Sequence, residues 1–165
     1  MLVRSEVFRR LGGFDGDFFA HMEEIDFCWR AQLAGYRIRV EPRSTVFHVG
    51  GGTLPNNSPQ KIYLNFRNNL CMLFKNLSPG TFWPVLFSRM VLDGMAALVF
   101  LVQGHPDFFK KVFRAHIDFH RQRKSLHEKR RAIQRHRVAR PHGILRNSII
   151  LLHAFGYRTF DKVMR

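Results

Sequence analysis

The sequence predicts an α/β unit followed by a mostly α-helical, basic tail, and three observations carry that class. Residues 22–34 form an amphipathic run closed by Gly35, which reads as a helix with one packed face. Residues 36–40 and 45–49 alternate like two short strands, with Glu41-Pro42-Arg43-Ser44 as the turn between them. Beyond Ser58 the apolar residues recur at helical spacing instead. A chain of 165 residues with 45% hydrophobic content can bury a real core and is not disordered.

In chain order, MLVR reads as the end of a strand, an abrupt opening. Ser5 is placed to cap a short helix that stops at Gly12-Gly13. Residues 14–21 read as a loop with two acidic and three Phe positions. In the helix that follows, Glu23 and Glu24 occupy the first turn, where the macrodipole favours anions. Ile25, Cys28, Trp29, Gln32 and Leu33 fall near one face, which predicts packing against a sheet. Residues 50–59 form a glycine- and Asn-rich loop. Ser58-Pro59 then opens a helix to about Asn76, its stripe being Ile62, Phe66, Leu70, Leu73 and Leu77.

Residues 82–103 are the most apolar segment, about as long as a membrane span, yet Arg89 and Asp93 lie near its middle. Their spacing lets them pair, so a half-buried or monotopic helix is expected rather than a span. A single basic helix is predicted over 106–137, with Phe109, Phe113, His116, Ile117 and His120 along one stripe. Its His116 and His120 could share zinc, although no carboxylate or Cys completes a set. Pro141-His142-Gly143 breaks this helix, and residues 144–155 form a last short one.

The net charge of +15 is unevenly placed. Residues 1–103 hold eleven Lys and Arg against eight Asp and Glu, whereas residues 104–165 hold sixteen against four. A basic rear implies a polyanionic partner, either an anionic membrane surface or nucleic acid. Nucleic acid is disfavoured because few stacking aromatics lie among the charges after Phe119. Cys28 and Cys71 sit in apolar settings and read as buried, inert thiols of a reducing compartment. Arg4, Glu6, Arg9 and Arg10 interrupt the N-terminal apolar residues, so these form no signal peptide.

Chemistry is concentrated near the front. Six of the twelve Asp and Glu residues lie in the first 26 positions, namely Glu6, Asp15, Asp17, Glu23, Glu24 and Asp26. Carboxylates packed among aromatics bind a cation, move a proton or cap a helix. Glu23, Glu24 and Asp26 can supply a general base, although acidic capping of the helix gives the same pattern. His48 leaves an apolar run directly before Gly50-Gly51-Gly52-Thr53, where backbone N–H groups can approach a phosphate and an imidazole can ligate a metal. A core histidine before an ordinary turn fits too, and the absence of a following Lys-Ser/Thr excludes a P-loop. Arg67 and Asn68 interrupt an apolar helix, where Arg67 can hold a phosphate or form a structural ion pair.

Read in order, six blocks resemble the C-terminal half of a family 2 glycosyltransferase of the bacterial rhamnosyltransferase-like kind. They are Gly12-Gly13-Phe14-Asp15, Phe18-Phe19, the run from Met22 to Arg30, Ala34-Gly35-Tyr36, His48 to Thr53, and Arg67-Asn68. The resemblance implies a partial GT-A, Rossmann-like α/β fold over residues 1–77, the acceptor side, followed by a membrane-associating tail over 78–165. It implies an inverting enzyme that passes a sugar from a nucleotide-sugar donor to a lipid-linked glycan acceptor in cell-surface polysaccharide synthesis. Such an enzyme would be peripheral on the cytoplasmic face of the bacterial inner membrane.

In that reading Glu24 is the catalytic base, standing where the family commonly has Asp, with Asp26 and Glu23 beside it. Trp29 and Phe19 would meet the acceptor. His48, Gly50, Gly51, Gly52, Thr53, Arg67 and Asn68 would face the donor diphosphate, with His48 at a divalent metal, Mg or Mn. The family's nucleotide-binding units and Asp-x-Asp motif have no counterpart here, since Asp15-Gly16-Asp17 belongs to the first block. The chain is therefore expected to be inactive alone, as a fragment, a mis-started reading frame or half of a split enzyme. The rival reading is a non-catalytic basic module for a membrane surface or nucleic acid.

Overall fold

A computed structural model describes residues 1–47, 55, 58–141 and 156. Among them the chain is all-helical, without strand or sheet, which overturns the expected α/β class and the partial GT-A, Rossmann-like sandwich. The two alternating segments explain the error. Ser44 N–H does close a turn onto Glu41 O at 3.0 Å, yet the arms on either side form no ladder. Val40, Val46 and Phe47 are left almost wholly exposed. Alternation marks a strand only where a neighbour takes up its backbone hydrogen bonds, and residues 1–4 supply none. Residues 48 and 49, and the helix expected over 144–155, lie outside the described residues.

Among the described residues six helices form: α1 (Ser5–Arg10), α2 (Glu23–Leu33), α3 (Pro59–Asn76), α4 (Pro79–Val102), α5 (Pro106–Arg121) and α6 (Arg123–Arg135). A single 3-10 turn, Gly16–Phe18, sits in the loop before α2. Ser5 lies inside the first turn of α1, and Arg4 holds the cap position without a side-chain bond. Helix α3 starts as the sequence predicts: Ser58 Oγ accepts from Lys61 N–H at 3.2 Å, and Pro59 takes the first position. The expected single helix over 106–137 is broken at Gln122. The break lets α6 swing onto the end of α3, where Arg130 donates to Phe74 O and Leu77 O at 2.7 and 2.8 Å. Gln134 reaches the Lys75, Asn76 and Leu77 carbonyls from the same side. These are the carbonyls that a helix end leaves without partners.

Helix α3 is the hub, packed by α2, α4, α5 and α6. Its Leu70, Cys71, Met72 and Phe74, with Leu77 just past its end, meet Phe82 and Leu86 of α4, Phe119 of α5, Leu126 of α6 and Phe18 of the loop. Phe74 sits edge-on to Phe82 and Phe119 at centroid distances of 5.2 and 5.7 Å. Two expected faces are rotated. Helix α2 packs on α3 rather than on a sheet and buries Asp26, Phe27, Ala31 and Leu33, while Ile25 is exposed. Helix α5 buries Val112, Ala115 and Phe119 and leaves Phe113 outside. Burial of Cys71 pushes its thiol up to about 11, as expected of an inert cysteine.

Helix α4 contains the expected pair, Arg89 Nε lying 2.7 Å from Asp93 Oδ1. His116 of α5 approaches the other oxygen at 3.1 Å, so the buried Asp93 ties the two helices together. By length and composition this 24-residue helix could cross a membrane, and 17% of its most apolar window is buried in the protein.

The exit of α2 depends on Gly35. Its φ of +88° lets Tyr36 N–H reach Ala31 O at 2.9 Å and Gly35 N–H reach Gln32 O at 3.0 Å. Val138 and Ala139 N–H then donate to Leu33 O, which closes the chain beyond α6 onto α2. A Cβ at Gly35 would stand 3.2 Å from Val138 Cγ2. Gly35→Ala should therefore destabilise the fold by about 1–3 kcal/mol, from the left-handed backbone and the contact together. A lowered midpoint in thermal unfolding checks this, and an unchanged midpoint contradicts it.

Candidate active site

The front of the molecule is organised around a buried cation. Lys75 of α3 is 1% exposed. Its ammonium pairs with Asp15 of the loop and, at 3.0 Å, with Asp26 of α2. The Phe18 ring lies beneath it at 4.4 Å. Asp26 also accepts from Asn76 Nδ2 at 2.7 Å and from Arg30 Nε at 2.8 Å. The other Arg30 nitrogens donate to Leu11 O and Gly13 O at 2.6 and 2.7 Å, which fixes the end of α1. Lys129 of α6 completes the set by binding Asp15, and Asp17 at 2.7 Å. Burial alone would raise the Asp15 carboxyl, but hydrogen bonds from Lys129 and Lys75 outweigh it and hold the group down at about 2.

Arg67 and Asn68 clamp the loop. Asn68 Nδ2 donates to the Phe18, Ala20 and His21 carbonyls at 2.9, 2.8 and 2.9 Å. Arg67 Nη2 donates to Asp17 O at 2.8 Å and to Asn68 Oδ1 at 2.7 Å. These bonds hold a backbone that needs holding, because Phe19, His21 and Met22 have φ of 61°, 68° and 73°. Three left-handed non-glycine residues in four positions are costly and mark segments that the surroundings over-determine. This loop feeds directly into the first turn of α2.

That turn presents Glu23 and Glu24 at a cavity of about 440 Å³, lined also by Phe14, Asp15, Gly16 and Phe19. Glu24 is exposed and, among the described residues, has neither hydrogen bond nor ion pair. Glu23 is half-buried, with Oε2 enclosed and unpartnered there. The Trp29 indole N–H and His21 Nε2 share that condition. A larger cavity of about 750 Å³ flanks Val3, Phe27, Cys28 and Tyr36, but no carboxylate lines it. The smaller one carries the acidic side chains.

The residues singled out in the sequence thus divide. Glu23, Glu24 and the 76% exposed Phe19 share the cavity. Asp26 is fully buried and engaged by its three partners, and it anchors α2 to α3. Arg67 and Asn68 serve the loop backbone, and Trp29 packs against the core. His48, Gly50, Gly51, Gly52 and Thr53 lie outside the described residues. Among the described residues no three His, Cys, Asp or Glu side chains could hold a metal ion, so neither Mg or Mn nor zinc at His116 and His120 finds a holder there. Sequence reading missed Lys75, Asn76 and Lys129. For Lys75 the signal was a cation set among Leu73, Phe74 and Leu77 on a face that must be buried.

Comparison with known proteins supplies a class: a 48-residue stretch of this chain is related to glycosyltransferases. It is 44% identical over those 48 residues to rhamnosyltransferase WbbL of Escherichia coli (strain K12), covering 29% of this chain and 18% of that protein. It is 42% identical over 48 residues to the pre-mycofactocin glycosyltransferase of Mycobacterium tuberculosis (strain ATCC 25618 / H37Rv), covering 29% and 10%. The match thus spans less than a fifth of either relative. No protein-family profile matches the chain, and no solved structure does.

Two outcomes test the network. Lys75→Met takes one cation from two carboxylates that keep Lys129 and Arg30, and should cost about 1.5–3 kcal/mol in urea unfolding. A loss below about 1 kcal/mol would mean that the pair contributes little. Asp15 lies below its ordinary 3.8, so its contribution is complete above that pH and is lost as pH falls towards 2. Asp15→Asn should remove this loss from the acid limb of the stability curve. Parallel curves for the two proteins between pH 4 and 2 would contradict it.

Proposed function

We propose that this chain contributes the acceptor-side catalytic part of an inverting, family 2-type glycosyltransferase related to the rhamnosyltransferases, with Glu24 as general base. The observation that carries the reading is the division among neighbouring carboxylates. Asp26 is locked into the scaffold, whereas Glu24, half a turn earlier, stands unpaired at a cavity with exposed Phe19 beside it. A base must be free to take a proton, and a sugar ring can lie against an aromatic face. Glu24 takes the proton of the acceptor hydroxyl as its oxygen bonds to the anomeric carbon. The bond from that carbon to the nucleoside diphosphate breaks, and the diphosphate leaves with its electron pair.

In this reading the isolated chain transfers no sugar. The acceptor is a lipid-linked glycan of cell-surface polysaccharide synthesis. It is met at the cytoplasmic face of the inner membrane, where the exposed apolar side of α4 and the cations of α5 and α6 favour an anionic surface. In this reading the divalent metal, Mg or Mn, belongs to donor binding, and the described residues hold no three-ligand set for it. The same basic helices also fit a non-catalytic module that binds a membrane or a nucleic acid.

In the complete transferase, Glu24→Gln should cut turnover by on the order of 10²–10⁴ with donor KM unchanged, because the residue serves the acceptor. Wild-type turnover in that variant would reduce Glu24 to a helix-terminus residue, and absence of turnover in the unaltered protein would leave the non-catalytic module. Comparing vesicle binding with an oligonucleotide mobility shift then separates the module's two partners.

A further inference from the structure

A further cleft, of about 450 Å³, opens between the start of α3 and the middle of α5, far in sequence from the carboxylates. Lys110, Lys111 and Arg114 line it with Gln60, Tyr63 and Asp118. Asp118 is its one acidic side chain, and it is already engaged by Arg114 at 2.8 Å, Arg121 at 3.4 Å and the Tyr63 hydroxyl at 3.0 Å. Arg114 is thereby held in place. Among the described residues Lys111 has no ion pair: it donates to the neutral Gln60 at 3.4 Å and lies 5.8 Å from the Tyr63 ring. Lys110 is exposed and, among the described residues, has no ion pair. Among the described residues two cations therefore face this cleft without a counter-ion, which is the chemistry of a phosphate site.

The apolar neighbourhood decides what carries the phosphate. Gly104 and His105 turn α4 directly into α5, and the turn is packed by Phe100 against Phe108 at 5.4 Å. Leu98, Val99, Leu101 and Val102 end α4 with their side chains about half or more exposed, eight residues before the first of these cations. A free phosphate would use only the cations. An anionic lipid has both parts, a headgroup for the cleft and acyl chains beside the end of α4. We propose that this cleft seats the phosphate of an anionic membrane lipid, which gives the chain a fixed orientation on the bilayer. The proposal rests on the membrane partner above but adds a defined site to a diffuse charge.

The test uses the full chain and sedimentation with vesicles of phosphatidylcholine, with and without phosphatidylglycerol. Lys110→Ala/Lys111→Ala/Arg114→Ala should weaken binding to the anionic vesicles on the order of a hundredfold. An equally charged control, Arg123→Ala/Lys124→Ala/Arg131→Ala on the exposed side of α6, should lose less than about fivefold. Thermal unfolding of both variants establishes that they are folded. Equal losses would overturn the site while leaving membrane association standing. Absence of wild-type binding to either vesicle would overturn both readings. Micromolar inorganic pyrophosphate should not displace the chain from vesicles. If it did, the cleft would take a soluble phosphate and the lipid assignment would fall.

Discussion

The ammonium of Lys75 sits out of water between Asp15 and Asp26, and the arrangement of the front half depends on it. Burying an isolated lysine costs several kcal/mol, more than any one contact here returns. The cost is offset only when both carboxylates, the Phe18 ring and the surrounding amide donors are in place together. A partly assembled set is therefore worse than none, and the native geometry is sharply selected. Through Asp26 the cation sets the register of α2 against α3, and through Asp15 it sets the loop. The position of Glu24 follows from those two constraints, although Glu24 touches neither partner.

The two acidic groups of the first 26 residues have opposite fates for a physical reason. Asp15 and Asp26 point at the interior side of their elements, where cations from α3 and α6 meet them. Glu23 and Glu24 occupy the first turn of α2, where the helix dipole already favours negative charge, so no cation is needed to keep them there. This leaves carboxylates available for chemistry next to carboxylates consumed by structure. The clamp by Arg67 and Asn68 supports the division, since it holds three left-handed residues whose release would tilt the first turn.

Local signals in the sequence were legible where one residue type determines one geometry. The Ser58-Pro59 start of α3, the Gly35 exit from α2 and the Arg89–Asp93 pair all follow from short-range chemistry. The α/β class was misread because residues 36–40 and 45–49 have strand composition, and composition does not reveal whether a neighbouring strand exists. The buried faces of α2 and α5 were misread because hydrophobicity was taken to mark the interior. In α2 the interior carries the charged Asp26–Arg30 pair, and that pair turns Ile25 outward. The acidic context of Glu24 is local, whereas the pairing of Lys75 and Lys129 with Asp15 spans 60 and 114 residues, which no local pattern reveals.

That last separation bears on how the protein is made. A ribosome adding roughly 5–20 residues per second needs about 6–23 s to pass from Asp15 to Lys129. The nascent chain meanwhile holds Asp15 and Asp17 without that counter-ion. Arg130 and Gln134 have not yet reached the end of α3, and Leu126 has not closed over its aromatic face. Release of a chain that stops short of α6 would leave a sticky, half-neutralised intermediate rather than a smaller version of the same fold. The later residues thus act on the earlier ones as an internal chaperone, whose arrival sets when the front half becomes native.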